Sequence, residues 1–251
     1  MSATEIVLLT VVGVISGAVN AVAGGGSLIV FPALLAAGLP VLDANVTNSI
    51  AQWPSYLGAT VGQRSDLIGQ RRRLQLVLPV AAAGSFCGAL LLLVLPSSVF
   101  DAVVPILVLA ASALMAFQPQ IKRWTGDPQL GQPDRTQAML VSIFFAAIYG
   151  GYFGGALGVI LMALLAVTAN DSLRRINATK MALSLIAASV TIVVFTALDA
   201  PVHWVLVATV GPATLVGGFF GAKLAQRLND EWLRWSVVVL GVAVGIYLLV
   251  Y

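Results

Sequence analysis

Polar residues lie in and beside a long apolar stretch near the start of the chain. Asn20 precedes a run of three glycines, and Ser27 follows it. Amide and hydroxyl groups donate neutral hydrogen bonds, and glycine lets a backbone approach a ligand closely. We therefore predict a binding site for a small polar solute here. Its candidate residues in this part of the chain are Asn20, Gly24, Gly25, Gly26, Ser27, Thr47, Asn48 and Gln52.

The composition around these residues is that of a membrane protein. Of the 251 residues, 59% are hydrophobic and only 9% are charged, whereas soluble domains carry roughly 25% charged residues. Apolar segments of about 18 or more residues recur along the chain, and each is long enough to cross about 30 Å of hydrocarbon. The sequence predicts an all-α polytopic membrane protein without a soluble domain. We expect the first apolar segment to be retained, because MSATEIVLL lacks the features of a signal peptide.

The two halves of the chain match each other over nearly their whole length when they are aligned as an internal repeat with a shift of 132 to 133 residues, which pairs Gly26 with Gly158. Asn45-Val46-Thr47-Asn48 then aligns with Asn177-Ala178-Thr179-Lys180, which adds Thr179 and Lys180 to the candidate binding residues. Two pairs of glycines also align, each at a spacing that lets helices approach closely in lipid. We expect these four to pack helices: Gly84, Gly88, Gly217 and Gly221.

Each half contains one interrupted apolar segment and three continuous ones. The interrupted segments cover about 4–37 and about 137–168, and the repeats are predicted at 1–118 and 137–251, joined by a cytoplasmic linker at 119–136. Backbone that leaves a helix within a membrane is tolerated only beside protein or a water-filled cavity. Paired interruptions are therefore the best sequence indication of a transporter's binding site.

The basic residues predict how the halves are oriented. If each interrupted segment crosses once, the 13 Lys and Arg residues divide into seven and six. If each segment instead returns to its side of entry, all 13 lie on one face, which the positive-inside rule makes cytoplasmic. We therefore expect inverted-topology repeats with both termini periplasmic. Re-entrant hairpins and two short crossings both satisfy this prediction.

Several candidate residues have two readings at this stage. Lys180 supplies the only positive charge that could reach inward, yet it lies about one turn into its helix. It either contacts the substrate or extends its ammonium group to the cytoplasmic headgroups. Asn20 and Gln52 either line a cavity or form interhelical hydrogen bonds. His203 is either an ordinary interfacial histidine or part of a proton relay or external pH sensor.

Three stretches carry a resemblance to a known family: AGGGSLIVFPALLAAGLP, the Thr47-Asn48 that follows it, and Ala178-Thr179-Lys180 in the second half. Together they resemble the TauE/SafE family, also called toluene sulfonate uptake permeases. The resemblance covers nearly the full chain. It implies transport of sulfite, sulfoacetate or other organosulfonates across the bacterial inner membrane, driven by an ion gradient. The second half departs from the expected pattern, because GGYFGGALGVILM contains no glycine triplet, and we expect its break to be less open.

The predicted function is secondary transport, with the anion bound near the membrane centre at the N-termini of broken helices, where unpaired N–H groups and the helix dipole favour negative charge. The expected partners are a small anionic substrate, the lipid bilayer and a coupling proton or sodium ion. We expect no cofactor, metal or nucleic acid, while small residues on several helices permit a homodimer. A transporter of another small solute and a passive anion channel remain alternatives. An enzyme using Ser27 and His203 is disfavoured, because their spacing indicates no activated nucleophile.

Overall fold

A computed structural model describes residues 2–117, 119–120, 123, 133–224 and 230–250. All regular secondary structure within these ranges is helical. A short 3-10 helix covers Arg64–Leu67. The long and short α-helices are α1 (Ala3–Val22), α2 (Ser27–Ala36), α3 (Val41–Gly62), α4 (Arg71–Val94), α5 (Ser97–Ala116), α6 (Thr136–Tyr152), α7 (Leu157–Thr168), α8 (Leu173–Ala197), α9 (Trp204–Leu224) and α10 (Asp230–Val250).

The prediction of an all-α polytopic membrane protein is confirmed. Within the described residues, five helices are long and apolar enough to cross a membrane, judged by length and composition: α1, α4, α5, α8 and α9. Helix α3 is equally long but carries Asn45, Asn48 and Gln52 along its length. The predicted linker at 119–136 lies largely outside the described residues, and the repeat boundaries stay a prediction.

Both predicted interruptions are present. Four residues separate Val22 from Ser27, and four separate Tyr152 from Leu157. The first break contains Gly24 at φ 84°, and the second contains Gly154 at φ 75° and Ala156 at φ 55°. An alanine in this left-handed region costs about 1–2 kcal/mol. The second half therefore forms a break of the same length without a glycine triplet, at the expense of a strained alanine.

Each interrupted segment consists of a long arm and a short arm that returns toward its origin. The Arg135 N–H, just before α6, donates to the Thr168 carbonyl at the end of α7 over 2.8 Å. In the first segment, Glu5 of α1 and Ala37 after α2 line one cavity. The lengths of α1 and α2 correspond to about 30 Å and about 15 Å. These contacts support an even number of crossings per segment.

The two ends of the helix bundle differ in charge. We call the end that contains Asp43 and His203 the histidine end, and the end that contains Arg73, Asp171 and Arg175 the arginine end. Helix α3 begins beside His203 and ends just before Gln63, which contacts Asn177 in the first turns of α8. Helices α3 and α8 therefore run in opposite directions. This arrangement is expected of inverted repeats, while the orientation in the membrane stays a prediction.

Glycines set the closest contacts between helices. A Cβ atom at Gly88 of α4 would overlap the Ile148 carbonyl oxygen of α6. A Cβ atom at Gly217 of α9 would overlap the Val14 carbonyl oxygen of α1. Gly84 and Gly221 have similarly close backbone neighbours. The predicted packing role of these four glycines is confirmed.

Ion pairs join three separate segments at the arginine end. Arg73, in the first turn of α4, contacts both carboxylate oxygens of Asp134 at 2.8 and 2.9 Å, and Asp171 at 2.9 Å. Arg175 also contacts Asp171 at 2.9 Å. Burial raises the pKa of Asp171, but hydrogen bonds from Arg175, Arg73 and the Ser172 N–H outweigh this effect, so the pKa lies below its usual 3.8. Asp171 thus holds the α7–α8 connection against α4.

The substitution Asp171→Asn is expected to destabilise the protein at neutral pH. It removes the charge shared by two arginines, and we expect a loss of about 2 kcal/mol, measured as a lower midpoint of thermal unfolding. Because the folded-state pKa is depressed, the carboxylate stabilises the protein above the unfolded-state pKa and loses this effect as pH falls through the folded-state value. The difference between the variant and wild type should therefore persist from pH 7 to about pH 5 and vanish only in stronger acid.

The matched control for this prediction is Asp101→Asn, which removes an exposed carboxylate from the first turns of α5. It should leave the unfolding midpoint nearly unchanged, because exposed charges contribute little. Equal midpoints for the two variants at pH 7 would contradict the stabilising role of Asp171.

Candidate solute-binding site

The first helix break touches the start of α7, directly after the second break, through backbone atoms. A Cβ atom at Gly24 would lie 2.6 Å from the Gly158 carbonyl carbon, and one at Gly158 would lie 2.5 Å from the Gly24 Cα. Such distances leave room for hydrogen atoms only. Neither break can therefore shift far without displacing the other.

A buried cavity lies beside this junction, and we call it the central cavity. Ser27, the first residue after the first break, lines it together with Phe153 and Gly154 of the second break, and the middle parts of α3 and α8 supply most of the remaining wall. Its accessible volume is about 20 Å³, enough for about one water molecule. A larger solute requires the helices to separate, so the structure shows a closed arrangement. The lining consists of Ser27, Asn48, Ser49, Gln52, Tyr56, Gly150, Phe153, Gly154, Leu157, Ser184, Ala187, Ala188 and Thr191.

Two polar atoms in this wall have no hydrogen-bond partner among the described residues. They are Oδ1 of Asn48 and Oγ of Ser184, in side chains that are 2% and 1% exposed. An unpaired buried polar group costs about 1–3 kcal/mol. A side-chain amide can rotate to present either its oxygen or its NH₂ group, and a serine hydroxyl can rotate to donate. A ligand in the central cavity could satisfy both side chains.

A hydrogen-bond network holds the first break in place. The Ser16 hydroxyl donates to the Gly26 carbonyl over 2.8 Å, and Nε2 of Gln52 donates to Ser16. Nδ2 of Asn20 reaches Oε1 of Gln52 and Oγ of Ser55, both at 3.4 Å. Asn20 and Gln52 thus form interhelical hydrogen bonds, and Gln52 also lines the central cavity. Gln52 therefore fulfils both predicted roles, the interhelical hydrogen bond and the lining of a cavity. Asn20 fulfils only the first, because it is not among the cavity-lining residues.

The glycine triplet serves close packing. Gly24 packs against Gly158, and a Cβ atom at Gly25 would lie 2.9 Å from the Met115 sulfur. A Cβ atom at Gly26 would overlap the Ser16 carbonyl oxygen. The triplet shapes the break from which Ser27 reaches the cavity, but its glycines do not line it.

The two candidate threonines lie at opposite ends of the bundle and not in the central cavity. Oγ1 of Thr47 accepts a hydrogen bond from the His203 backbone N–H at 3.1 Å, and His203 Nε2 lies 3.0 Å from Asp43 Oδ2. Oγ1 of Thr179 donates to Oε1 of Gln70 over 2.9 Å. Gln70 and His203 are themselves paired by the repeat alignment. We call these pairs the end contacts; each joins the first half to the second.

Lys180 is deeply buried. It is 1% exposed, and no other charged side chain in the described part of the chain is buried to this degree. It lies one turn before Ser184 on α8, toward the arginine end, and is not among the residues that line the central cavity. Its burial argues against the reading in which its ammonium group extends to the headgroups. The pair Asn48 and Lys180 is therefore asymmetric, since only Asn48 lines the cavity.

Sequence reasoning missed Ser184 and Tyr56. Ser184 looks like an ordinary small polar residue within an apolar helix, yet it is the position that the repeat alignment pairs with Gln52. The repeat therefore contained the signal. Tyr56 lies one turn after Gln52, beside Asn20 and Ser27, and aromatic residues at such spacing are commonly part of the core.

Paired helix breaks packed together beside a cavity with several polar side chains are typical of a helical membrane transporter with paired interrupted segments. The chain belongs to the family described as sulfite exporter TauE/SafE, whose model matches residues 9–248.

Relatives support the same class of protein. A "Probable membrane transporter protein" of Haemophilus influenzae is 25% identical over 239 residues, covering 93% of this chain and 90% of the relative. The "Probable membrane transporter protein YfcA" of Escherichia coli K12 is 25% identical over 252 residues, covering 96% and 88%. The "Probable membrane transporter protein ORF9" of Sinorhizobium sp is 26% identical over 245 residues, covering 96% and 91%. These names specify no solute, and no solved structure matches the chain significantly.

Proposed function

We propose that this protein is a secondary transporter of small sulfur-containing anions, such as sulfite, sulfoacetate or other organosulfonates, across the bacterial inner membrane, coupled to a proton or sodium gradient. The observation that carries the proposal is the central cavity, which is lined by Asn48 and Ser184, each with an unpaired buried polar atom, and by residues next to both breaks. Membership of the TauE/SafE family supports the choice of solute class.

The chemistry of the central cavity suits a weakly held oxyanion. A sulfonate group accepts several hydrogen bonds, and Ser27, Asn48 and Ser184 can each supply a neutral donor. Neutral donors bind an anion without the strong charge pairing that would retain it. Lys180, buried one turn from Ser184, contributes a positive potential when charged. We propose that Lys180 acts through this field and not by direct contact in the closed state.

The other candidate residues have indirect roles in this proposal. Asn20, Gln52 and the glycine triplet fix the first break, so that Ser27 reaches the solute. Thr47 and Thr179 belong to the end contacts. We propose that opening the histidine end breaks the Thr47–His203 contact, and that opening the arginine end breaks the Thr179–Gln70 contact. The two halves are then inverted repeats that open alternately, with the arginine end in the cytoplasm.

Flux through the purified protein in liposomes tests the proposal. We would measure uptake of sulfite and a panel of organosulfonates under imposed pH and sodium gradients. Saturable, gradient-dependent accumulation of a sulfur anion is expected. Flux that only equilibrates the anion would indicate a passive channel, and the absence of flux for every sulfur anion, from folded protein, would indicate another solute.

The substitution Ser184→Ala is expected to lower transport kcat/KM about tenfold or more, since it removes one hydrogen bond to a charged ligand. The matched control is Ser112→Ala, because Ser112 is equally buried but its hydroxyl donates to the Val108 carbonyl over 2.7 Å. Its kcat/KM should remain near the wild-type value. Equal kcat/KM for the two variants would remove Ser184 from the site.

A further inference from the structure

A second cavity opens at the arginine end, and we call it the vestibule. Its volume is about 470 Å³, and it lies between the ends of α1, α3 and α9 and the start of α8. Ala21 and Val22, the last residues of α1 before the first break, form part of its wall. Most of the remaining wall is polar or charged: Gln63, Ser65, Asp66, Arg174, Asn177 and Lys223.

Gln63 lines the vestibule and carries an unpaired hydrogen-bond donor, Nε2, that lies just beneath the cavity surface. The side chain is only 8% exposed, and its Nε2 has no partner among the described residues. Its Oε1 accepts from Nδ2 of Asn177 over 2.7 Å. This bond fixes the orientation of the Gln63 amide, because a rotated Gln63 amide would place its NH₂ group against the NH₂ group of Asn177. A ligand that pairs Nε2 must therefore accept a hydrogen bond.

The charges of the vestibule also favour an acceptor ligand. Arg174 and Lys223 line it together with one carboxylate, that of Asp66. The Arg174–Asp66 distance is 3.9 Å and the arginine side chain is 72% exposed, so this pairing is weak. The Lys223 ammonium lies 4.3 Å from the centroid of the Phe219 ring, and no carboxylate among the described side chains forms an ion pair with it.

The start of α8 adds to this positive field. Leu173, its first residue, lines the vestibule, and the N-cap residue Ser172 makes no side-chain capping hydrogen bond. The N-terminus of a helix carries a partial positive charge and unpaired N–H groups. Three independent elements, α3, α8 and α9, thus present donors or cations to one space.

We propose that the vestibule is a second binding site for a small oxyanion of the sulfonate or sulfate type, separate from the central cavity. On binding, the Gln63 side chain shifts outward so that Nε2 donates to the anion, and Arg174 and Lys223 supply the positive charge. The site adjoins the end of α1, where Nδ2 of Asn177 also reaches the Ala21 carbonyl at 3.3 Å. Its place on the transport path rests on the proposed function, whereas anion binding itself does not.

Cysteine accessibility tests the proposal without knowledge of the transported solute. Ser65 is exposed and lines the vestibule, and Ser65→Cys would be made in a Cys87→Ser background, because Cys87 is an exposed free cysteine. We would measure the reaction rates with two methanethiosulfonates, one bearing a sulfonate and one a trimethylammonium group. We would divide the rate of the sulfonate reagent by that of the trimethylammonium reagent and compare this ratio with the ratio for free cysteine. It should be about tenfold higher at position 65, because one net positive charge roughly 6 Å away in water attracts the first reagent and repels the second. Sodium methanesulfonate should slow the sulfonate reagent more than sodium chloride at equal ionic strength.

Variants identify the residues responsible. Gln63→Glu keeps the acceptor for Asn177 but replaces the donor by a negative charge, and it should abolish the preference for the sulfonate reagent. Lys223→Ala should reduce the preference and provides a second test should the first variant fold poorly. Arg72→Ala removes an exposed cation that lines a different cavity at the same end and should leave the ratio unchanged.

A ratio equal to that of free cysteine, or one that Gln63→Glu and Lys223→Ala leave unaltered, would overturn the proposal. Absence of sulfur-anion flux in liposomes, together with a normal preference at position 65, would overturn the proposed function and leave the vestibule site standing. Saturable sulfur-anion flux without a preference for the sulfonate reagent at position 65 would support the proposed function and overturn the vestibule site.

Discussion

Replacement of Gly24 by alanine is expected to abolish transport and to destabilise the fold. Gly24 has φ 84°, and a Cβ atom there would lie 2.6 Å from the Gly158 carbonyl carbon and 2.9 Å from the Val159 nitrogen. These neighbours are backbone atoms and cannot rotate away. We expect a loss of about 2–5 kcal/mol, the sum of left-handed strain and overpacking. Thermal unfolding and sulfur-anion flux in liposomes would measure the two effects.

Gly38→Ala is the matched control. Gly38 has a similar φ of 92°, but nothing lies within 4 Å of the Cβ position. This variant incurs only the strain of a left-handed alanine, about 1–2 kcal/mol, and should retain transport. Equal loss of stability in the two variants would show that the contact between the breaks is not tight.

The substitution Asn48→Asp is expected to reduce anion flux about 100-fold or more. It changes few atoms, but it places a carboxylate at a side chain that is 2% exposed in the wall of the central cavity. Two like charges about 4 Å apart repel by about 4 kcal/mol at an effective dielectric constant of 20. Flux with a sulfur anion, measured beside Asn48→Ser, separates the effect of charge from that of shape. Asn48→Ser keeps a neutral donor and should lose much less.

The same variant distinguishes the alternative solutes. A cation transporter would keep or improve its cation flux in Asn48→Asp, because the new carboxylate attracts the solute. Anion flux that is equal in Asn48→Asp and Asn48→Ser would contradict binding of an anion beside Asn48. Correct folding of both variants would be checked by their elution as wild-type-like particles in size-exclusion chromatography.

Local sequence patterns predicted most of the helices. The glycine triplet indicated the first break, and the repeat placed the second at about the right position despite its different residues. Helix spans follow directly from the need to pair every backbone group in lipid, so apolar length is a strong signal. The small-residue spacing of Gly84 and Gly88 likewise predicted a close helix contact, because only small residues allow such an approach.

The composition of the site was less predictable, because it depends on contacts between distant segments. The structure brings Gly24 against Gly158, a contact that the repeat alignment could not predict, because the alignment shows which positions are equivalent and not which positions touch. Thr47 and Asn48 are neighbours in sequence, but on a helix they point in different directions; Thr47 meets His203 and Asn48 meets the central cavity. Helical phase, set by packing, decides which of two adjacent polar residues faces the solute.

The pairing between halves was also beyond local reasoning. Asn45 of the first half donates to the Tyr152 carbonyl at the end of α6 over 3.1 Å, and Asn177 of the second half donates to the Ala21 carbonyl near the end of α1 over 3.3 Å. These two asparagines are paired by the repeat alignment. Each asparagine therefore donates a hydrogen bond to a backbone carbonyl of the other half. That carbonyl has no helical partner, because its helix is interrupted there. Only a structure could show that the repeats exchange these contacts.

The most direct test of the central claim is to locate a bound anion. We would crystallise protein shown to transport selenite, an oxyanion with the shape of sulfite, in the presence of selenite, and map selenium by its anomalous scattering. The account predicts a selenium peak between α3 and α8, within hydrogen-bonding reach of Asn48 and Ser184 through the selenite oxygens, with the helices parted from their closed arrangement. A selenium peak only at other positions, or none at all in protein that transports selenite, would contradict a binding site in the central cavity.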